Sequence, residues 1–229
     1  MNTKKKVFII ALAVCLIAIL SFSTLAWFTD SEDMTNKFLT ATENDDADDV
    51  FSVDLKEYVD ADGDGTPDTT PVDEGGYTYQ EVLPGSQLIK NPVVTNTGKY
   101  YDEYIQVTVR LSDAAAWLAA LGADYAIEDC FVGLNMVSDV NPNGDWQLVS
   151  KAQDTATDEL VYVFYFVGGD MKLSPSESIN LFTGVNIPTE LEREDVVAMD
   201  GGFELNVDVQ AIQADNTGAT PAEAFALLG

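Results

Sequence analysis

From residue 203 onward an apolar side chain stands at every second position: Phe203, Leu205, Val207, Val209 and Ala211. A period of two buries one face of a β-strand and leaves the other to water, and a helix cannot use it. The same alternation runs through Ile105, Val107, Val109 and Leu111, and through Phe51, Val53 and Leu55, opposite Ser52, Asp54 and Lys56. Two-residue periods this clear commit the chain to sheets. Residues 160–167, Leu-Val-Tyr-Val-Phe-Tyr-Phe-Val, are continuously apolar, which predicts a central strand covered on both faces.

Turn residues punctuate these runs. Leu83-Pro84-Gly85-Ser86, Asn96-Thr97-Gly98, Asn143-Gly144 and Gly168-Gly169 separate further strands expected at 77–82, 87–95, 104–111, 130–137, 146–150 and 178–187. Helices are expected only as connections. Ser112 and Asp113 offer N-caps to alanine-rich 114–121, with Gly122 placed to end it. Thr189 with Glu192 and Thr220 with Glu223 have capping-box spacing, and Pro221 occupies a first helical position. The predicted fold is all-β, a two-sheet antiparallel sandwich of jelly-roll type with short connecting helices.

The first 26 residues read as an export signal: basic Lys4 to Lys6, apolar 7–20, then small residues ending in Thr24-Leu25-Ala26. Cleavage between Ala26 and Trp27 is expected, and an uncleaved membrane anchor is the competing reading. Of the two cysteines only Cys130 would remain, too few for an internal disulfide, and its setting favours a buried free thiol. The formal net charge is −28, and loss of the three leading lysines leaves eight basic against 39 acidic side chains, or −31. Such a field repels phosphate backbones and anionic lipid, excluding nucleic-acid binding and charge-driven membrane binding after cleavage. It attracts divalent cations. Hydrophobic residues make up 46% of the chain, enough to build a core despite that charge. The organisation expected is a signal peptide over 1–26, a flexible arm over 27–49 and a sandwich over 50–229 with an acidic loop at 60–76.

Residues 23–30, Ser-Thr-Leu-Ala-Trp-Phe-Thr-Asp, followed by Asn36-Lys37-Phe38-Leu39-Thr40-Ala41, resemble the export signal read by SipW-type signal peptidases. The Leu83-Pro84-Gly85-Ser86 turn, the segment 93–98, the strand 105–109, the segments 173–178 and 181–188, and the closing 209–214 are similar to successive parts of the TasA/camelysin-like family. The resemblance implies a secreted protein of the Gram-positive cell surface or biofilm matrix that self-associates into fibres. It further implies assembly by donation of an N-terminal strand to a neighbour's sheet. The donor would lie within Trp27 to Ala41, where Trp27, Phe28, Phe38 and Leu39 stand in an otherwise polar arm.

The chain has no histidine. That removes Ser-His-Asp and Cys-His catalysis and His-based zinc sites, so the peptidase activity attached to camelysin-like proteins has no visible machinery here. The sharpest local motif is Asp60-x-Asp62-x-Asp64-Gly65-Thr66-x-Asp68. Three carboxylates at alternate positions, a glycine for the tight turn, the Thr66 carbonyl and Asp68 supply the hard oxygen ligands that suit Ca2+. Pro71 stands where an EF-hand carries its bidentate glutamate, so the shell is incomplete. The bland alternative is a solvated acidic loop. Clustered aromatics at 100–104 and 162–166 suggest either a carbohydrate platform or, as is usual for strands, core. A structural matrix protein is the favoured reading, a calcium-dependent adhesion module the second, and a metallopeptidase the third.

Overall fold

The computed structural model describes residues 29–33, 36–37, 51–72, 76–79, 82–192, 194–195, 199 and 203–228. Strands are β1 (Thr29–Asp33), β2 (Asn36–Lys37), β3 (Val53–Val59), β4 (Gln87–Leu88), β5 (Lys90–Asn96) and β6 (Glu103–Leu111). After them come β7 (Phe131–Val132), β8 (Trp146–Asp154), β9 (Glu159–Phe166), β10 (Ser178–Asn180), β11 (Gly184–Asn186) and β12 (Leu205–Gln213). They form a six-stranded antiparallel sheet ordered β2-β1-β12-β6-β9-β8 and two three-stranded sheets, β10-β5-β3 and β4-β11-β7. One continuous core takes Val107, Tyr162, Phe164 and Val209 from the large sheet, Val53 and Val94 from the second, and Phe131 and Val185 from the third. The chain is therefore all-β and sandwich-like, with few short helices.

Sequence parity translates directly into burial where strands are long. In β3 the inward positions are Val53, Leu55, Glu57 and Val59, so the alternation carries a glutamate into the interior. β9 lies between β6 and β8, as its apolar run requires, but only one of its faces is fully buried. Its outward Val161, Val163 and Tyr165 are half-buried, and the C-terminal segment packs on part of that face, with Phe225 stacked 5.3 Å from the Tyr165 ring.

Two expected strands split, since a strand can leave one sheet and join another at a bend. Residues 87–95 become β4 and β5 in different sheets, and 178–187 become β10 and β11, also in different sheets. The expected strand 130–137 is only Phe131–Val132, preceded by a 3-10 turn over Ile127–Cys130. Beyond it, Asn135 accepts through its backbone carbonyl from the Asp145 and Trp146 N–H groups, so the segment caps the start of β8. Residues 77–79 form no strand. Tyr79 instead donates its hydroxyl to the Ile89 carbonyl.

The helix α1 (Ala114–Leu121) forms where expected, but its cap comes from elsewhere. Asp113 adopts a left-handed conformation with φ 59° and makes no side-chain cap, while Ala115 N–H donates to Asp158 Oδ1 at 3.0 Å across the β8–β9 turn. Gly122 ends α1 with φ 89°, a region closed to most side chains. The box at Thr189 does not form, since Glu192 N–H donates to Asp195 Oδ2 instead, and the described helical residues there are Glu194 and Asp195. At the C-terminus the expectation holds: α2 (Pro221–Phe225) is capped by Thr220, which accepts from Glu223 N–H, while Glu223 accepts from Ala219 N–H at 2.7 Å.

Candidate metal loop and sheet edge

The acidic loop hangs from β3. Asp68 N–H donates to the Val59 carbonyl at 2.7 Å and Val72 N–H to the Glu57 carbonyl at 2.9 Å, so the returning limb runs along the outer edge of β3. A loop pinned to a rigid strand holds its side chains in place. Within it, Asp60 accepts from the N–H groups of Gly63, Asp64 and Gly65, and positive φ at Gly63 and Gly65 lets the backbone curl around that carboxylate. The Gly65 N–H above all, followed by those of Gly63 and Asp64 and working against desolvation, holds the Asp60 carboxyl below the usual range. It stays ionised.

Asp60, Asp62 and Asp64 each bring one carboxylate oxygen within 4.8 Å of the others, a separation one divalent cation can span. Asp68 is turned to the loop's own closure, accepting from Ala61 N–H at 2.9 Å, and Thr66 donates its hydroxyl to Asp64 Oδ1. The Asp60, Asp62 and Asp64 carboxylates thus fit a hard, oxygen-seeking ion, while Asp68 of the expected set is engaged within the loop. Pro71 has no carboxylate to add.

Between β3, from which the loop hangs, and β5 lies a buried ion pair outside the acidic motif. Lys90 Nζ donates to Glu57 Oε1, with side-chain exposures of 10% and 4%. Desolvation lowers the Lys90 ammonium pKa, and the attraction of Glu57 offsets this only in part. The parity of Glu57 within Val53, Leu55 and Val59 was the signal that could have found it.

The second feature is the edge formed by β12. Its inner side pairs with β6 over nine residues, from Leu205↔Leu111 to Gln213↔Glu103. Its outer side pairs with β1 over five, from Thr29↔Ile212 to Asp33↔Asp208. Among the described residues β1 otherwise pairs with the two residues of β2. Part of the arm expected over 27–49 is thereby placed against the domain's own sheet. Ala26, Trp27, Phe28, Phe38 and Leu39 lie outside the described residues.

The remaining sequence candidates resolve as core. Tyr104, Tyr162, Phe164 and Phe166 are buried, leaving Tyr100 as the exposed aromatic of those clusters. Cys130 is a buried free thiol, its pKa pushed up to about 11 chiefly by burial. Among the described residues no helix is long and apolar enough to cross a membrane. The chain matches no protein-family model, no curated protein and no solved structure.

Proposed function

We propose that the protein is a secreted structural protein of the bacterial cell surface or biofilm matrix that assembles by exchange of its N-terminal strand. The observation carrying this reading is the place of β1: first in sequence and next to the sheet's edge, between the two-residue β2 and β12, and joined among the described residues to the body of the sheet through β12. Five antiparallel residues offer a handful of hydrogen bonds, each worth about 1 kcal/mol net. Ordering the same residues costs about 1–2 kcal/mol each. A strand held on such narrow terms can leave its own sheet, and the vacated edge accepts the same segment from a neighbour. The N-terminal export signal, similar to those read by SipW-type signal peptidases, supports an assembly outside the cell.

Electron microscopy of the exported chain with and without residues 27–41 tests this. Loss of fibres with retention of a folded monomer is the expected result, and a synthetic 27–41 peptide should shorten wild-type fibres by filling acceptor edges. Fibres that survive the deletion would end the proposal.

A second reading, a calcium-dependent surface module, is favoured by the convergence of Asp60, Asp62 and Asp64. Millimolar Ca2+ should raise the unfolding temperature by mass action. An equal rise in an Asp62→Ala/Asp64→Ala variant would assign the effect to general charge screening.

A further inference from the structure

We propose that the β8 edge of the large sheet is sealed against pairing with another chain by the Val149 bulge and the inward Lys151–Glu128 ion pair, so that association through this sheet is confined to the side of β12 and β1. The consequence for fibres, one acceptor edge per copy and growth along a line, rests on the proposed strand exchange. The sealing itself does not.

β8 ends the large sheet on the side away from β1 and runs for nine residues, from Trp146 to Asp154. Among the described residues no strand lies beyond it, and every residue from Val149 to Asp154 is exposed. A long exposed edge is a template for pairing with another chain. Three features interrupt this one. At its start the Asp145 and Trp146 N–H groups donate to the Asn135 carbonyl and the Val137 N–H donates to the Trp146 carbonyl, so residues 135–137 cover that end. Further on, Leu148 faces Phe164 and Ser150 faces Val163, which leaves Val149 as an extra residue. Such a bulge bends the strand and breaks the even row of outward N–H and carbonyl groups that a partner strand needs.

The third feature is Lys151. It stands opposite Tyr162, a fully buried residue on the core side of β9, so its side chain belongs to the same inner face. Parity calls for an apolar residue there, as Trp146 and Leu148 supply opposite Phe166 and Phe164. Lys151 is instead held in place: Nζ donates to Glu128 Oε2 at 2.8 Å and to the Tyr125 carbonyl at 3.4 Å, and it lies 5.7 Å from the centre of the Tyr162 ring. The two charged side chains keep 31% and 14% of their surface in water. A strand added beyond β8 would carry its own inner face across this pair and strip that water away, a loss that a short run of backbone hydrogen bonds does not repay. Gln153, opposite Leu160, continues the polar inner row. The other side of the sheet lacks these obstacles, since β12 pairs with β1 over five residues without a shift of register.

The test compares the exported-form chain with a variant that lacks Val149 and carries Lys151→Thr and Glu128→Gln. The deletion restores an even strand, and the paired substitutions leave no carboxylate without its cation and the net charge unchanged. Sedimentation velocity over a concentration series at about 0.15 M salt reads mass, with self-repulsion screened beyond about 8 Å, and circular dichroism checks folding. The variant should associate at a concentration at least about tenfold below the parent's. Adding Gln153→Lys, which returns a charge to the inner face, should reverse the gain. If the deletion prevents folding, Lys151→Thr/Glu128→Gln alone decides the matter, with a gain in the same direction expected. A folded variant that associates no more readily than the parent would overturn the proposal, as would a gain that survives Gln153→Lys. Each variant is read against the parent, so the outcome does not depend on fibres, and fibres that survive deletion of 27–41 would refute strand exchange while leaving this comparison intact.

Discussion

Replacing Lys90 by methionine asks how strongly one buried charge depends on its partner. Glu57 and Lys90 sit on neighbouring strands β3 and β5, nearly excluded from water and touching through Lys90 Nζ and Glu57 Oε1. At a contact distance near 3 Å and an effective dielectric of about 20, the bare attraction is roughly 5 kcal/mol. Desolvation of the two ions consumes much of this, which is why the Lys90 pKa is lowered despite the adjacent carboxylate. The pair is therefore nearly neutral in net worth, but removing one member leaves a buried carboxylate without its cation. Lys90→Met should cost about 3–5 kcal/mol. The double variant Glu57→Leu/Lys90→Met removes both charges and should return to within about 1 kcal/mol of the parent. Urea unfolding reads both, with an unchanged slope showing that only stability has moved. In the folded state Lys90 binds its proton less tightly than in the unfolded chain. Its contribution to stability should accordingly rise with pH between its lowered value and about 10.4. A Lys90→Met loss below about 1 kcal/mol, or a double variant as weak as the two single losses combined, would refute the reasoning.

Burial pushes the Cys130 thiol up to about 11, so the folded chain holds that proton longer than the unfolded one and stability should fall as pH rises from about 9 to about 11. Cys130→Ala should flatten that part of the urea-midpoint profile; an unchanged profile would show the thiol is not the source. Thr220→Ala removes the α2 cap and should lower stability by about 1 kcal/mol in thermal unfolding, whereas Thr220→Ser should be near neutral. A Cβ at Gly144 would lie 2.5 Å from the backbone of Met136 and Val137, so Gly144→Ala should cost roughly 1–3 kcal/mol by urea unfolding, and a silent substitution would mean that loop 136–144 shifts freely.

What the sequence settled by itself was local. The all-β class, β6, β9 and β12, the turns at Asn96 and Pro84, the helix at 114–121 and the cap at Thr220 follow from periodicity and backbone chemistry, which act between near neighbours. Asp60, Asp62 and Asp64 were legible as a group because all three lie within one short loop whose glycines dictate its path. Other features required the tertiary structure, because they depend on which strands meet. The splitting of 87–95 and 178–187 between sheets, the loan of Asp158 to cap α1, and the diversion of Asp68 to close its own loop all arise from contacts outside the local pattern. The Glu57–Lys90 pair joins residues 33 positions apart. Most consequential is the place of the first strand beside the last: composition marked the arm as polar and apart, whereas the outer side of β12 pairs with part of it. A strand's own side chains fix its inward face, but hydrogen-bonding edges carry no sequence label, so pairing is decided only when the whole sheet assembles.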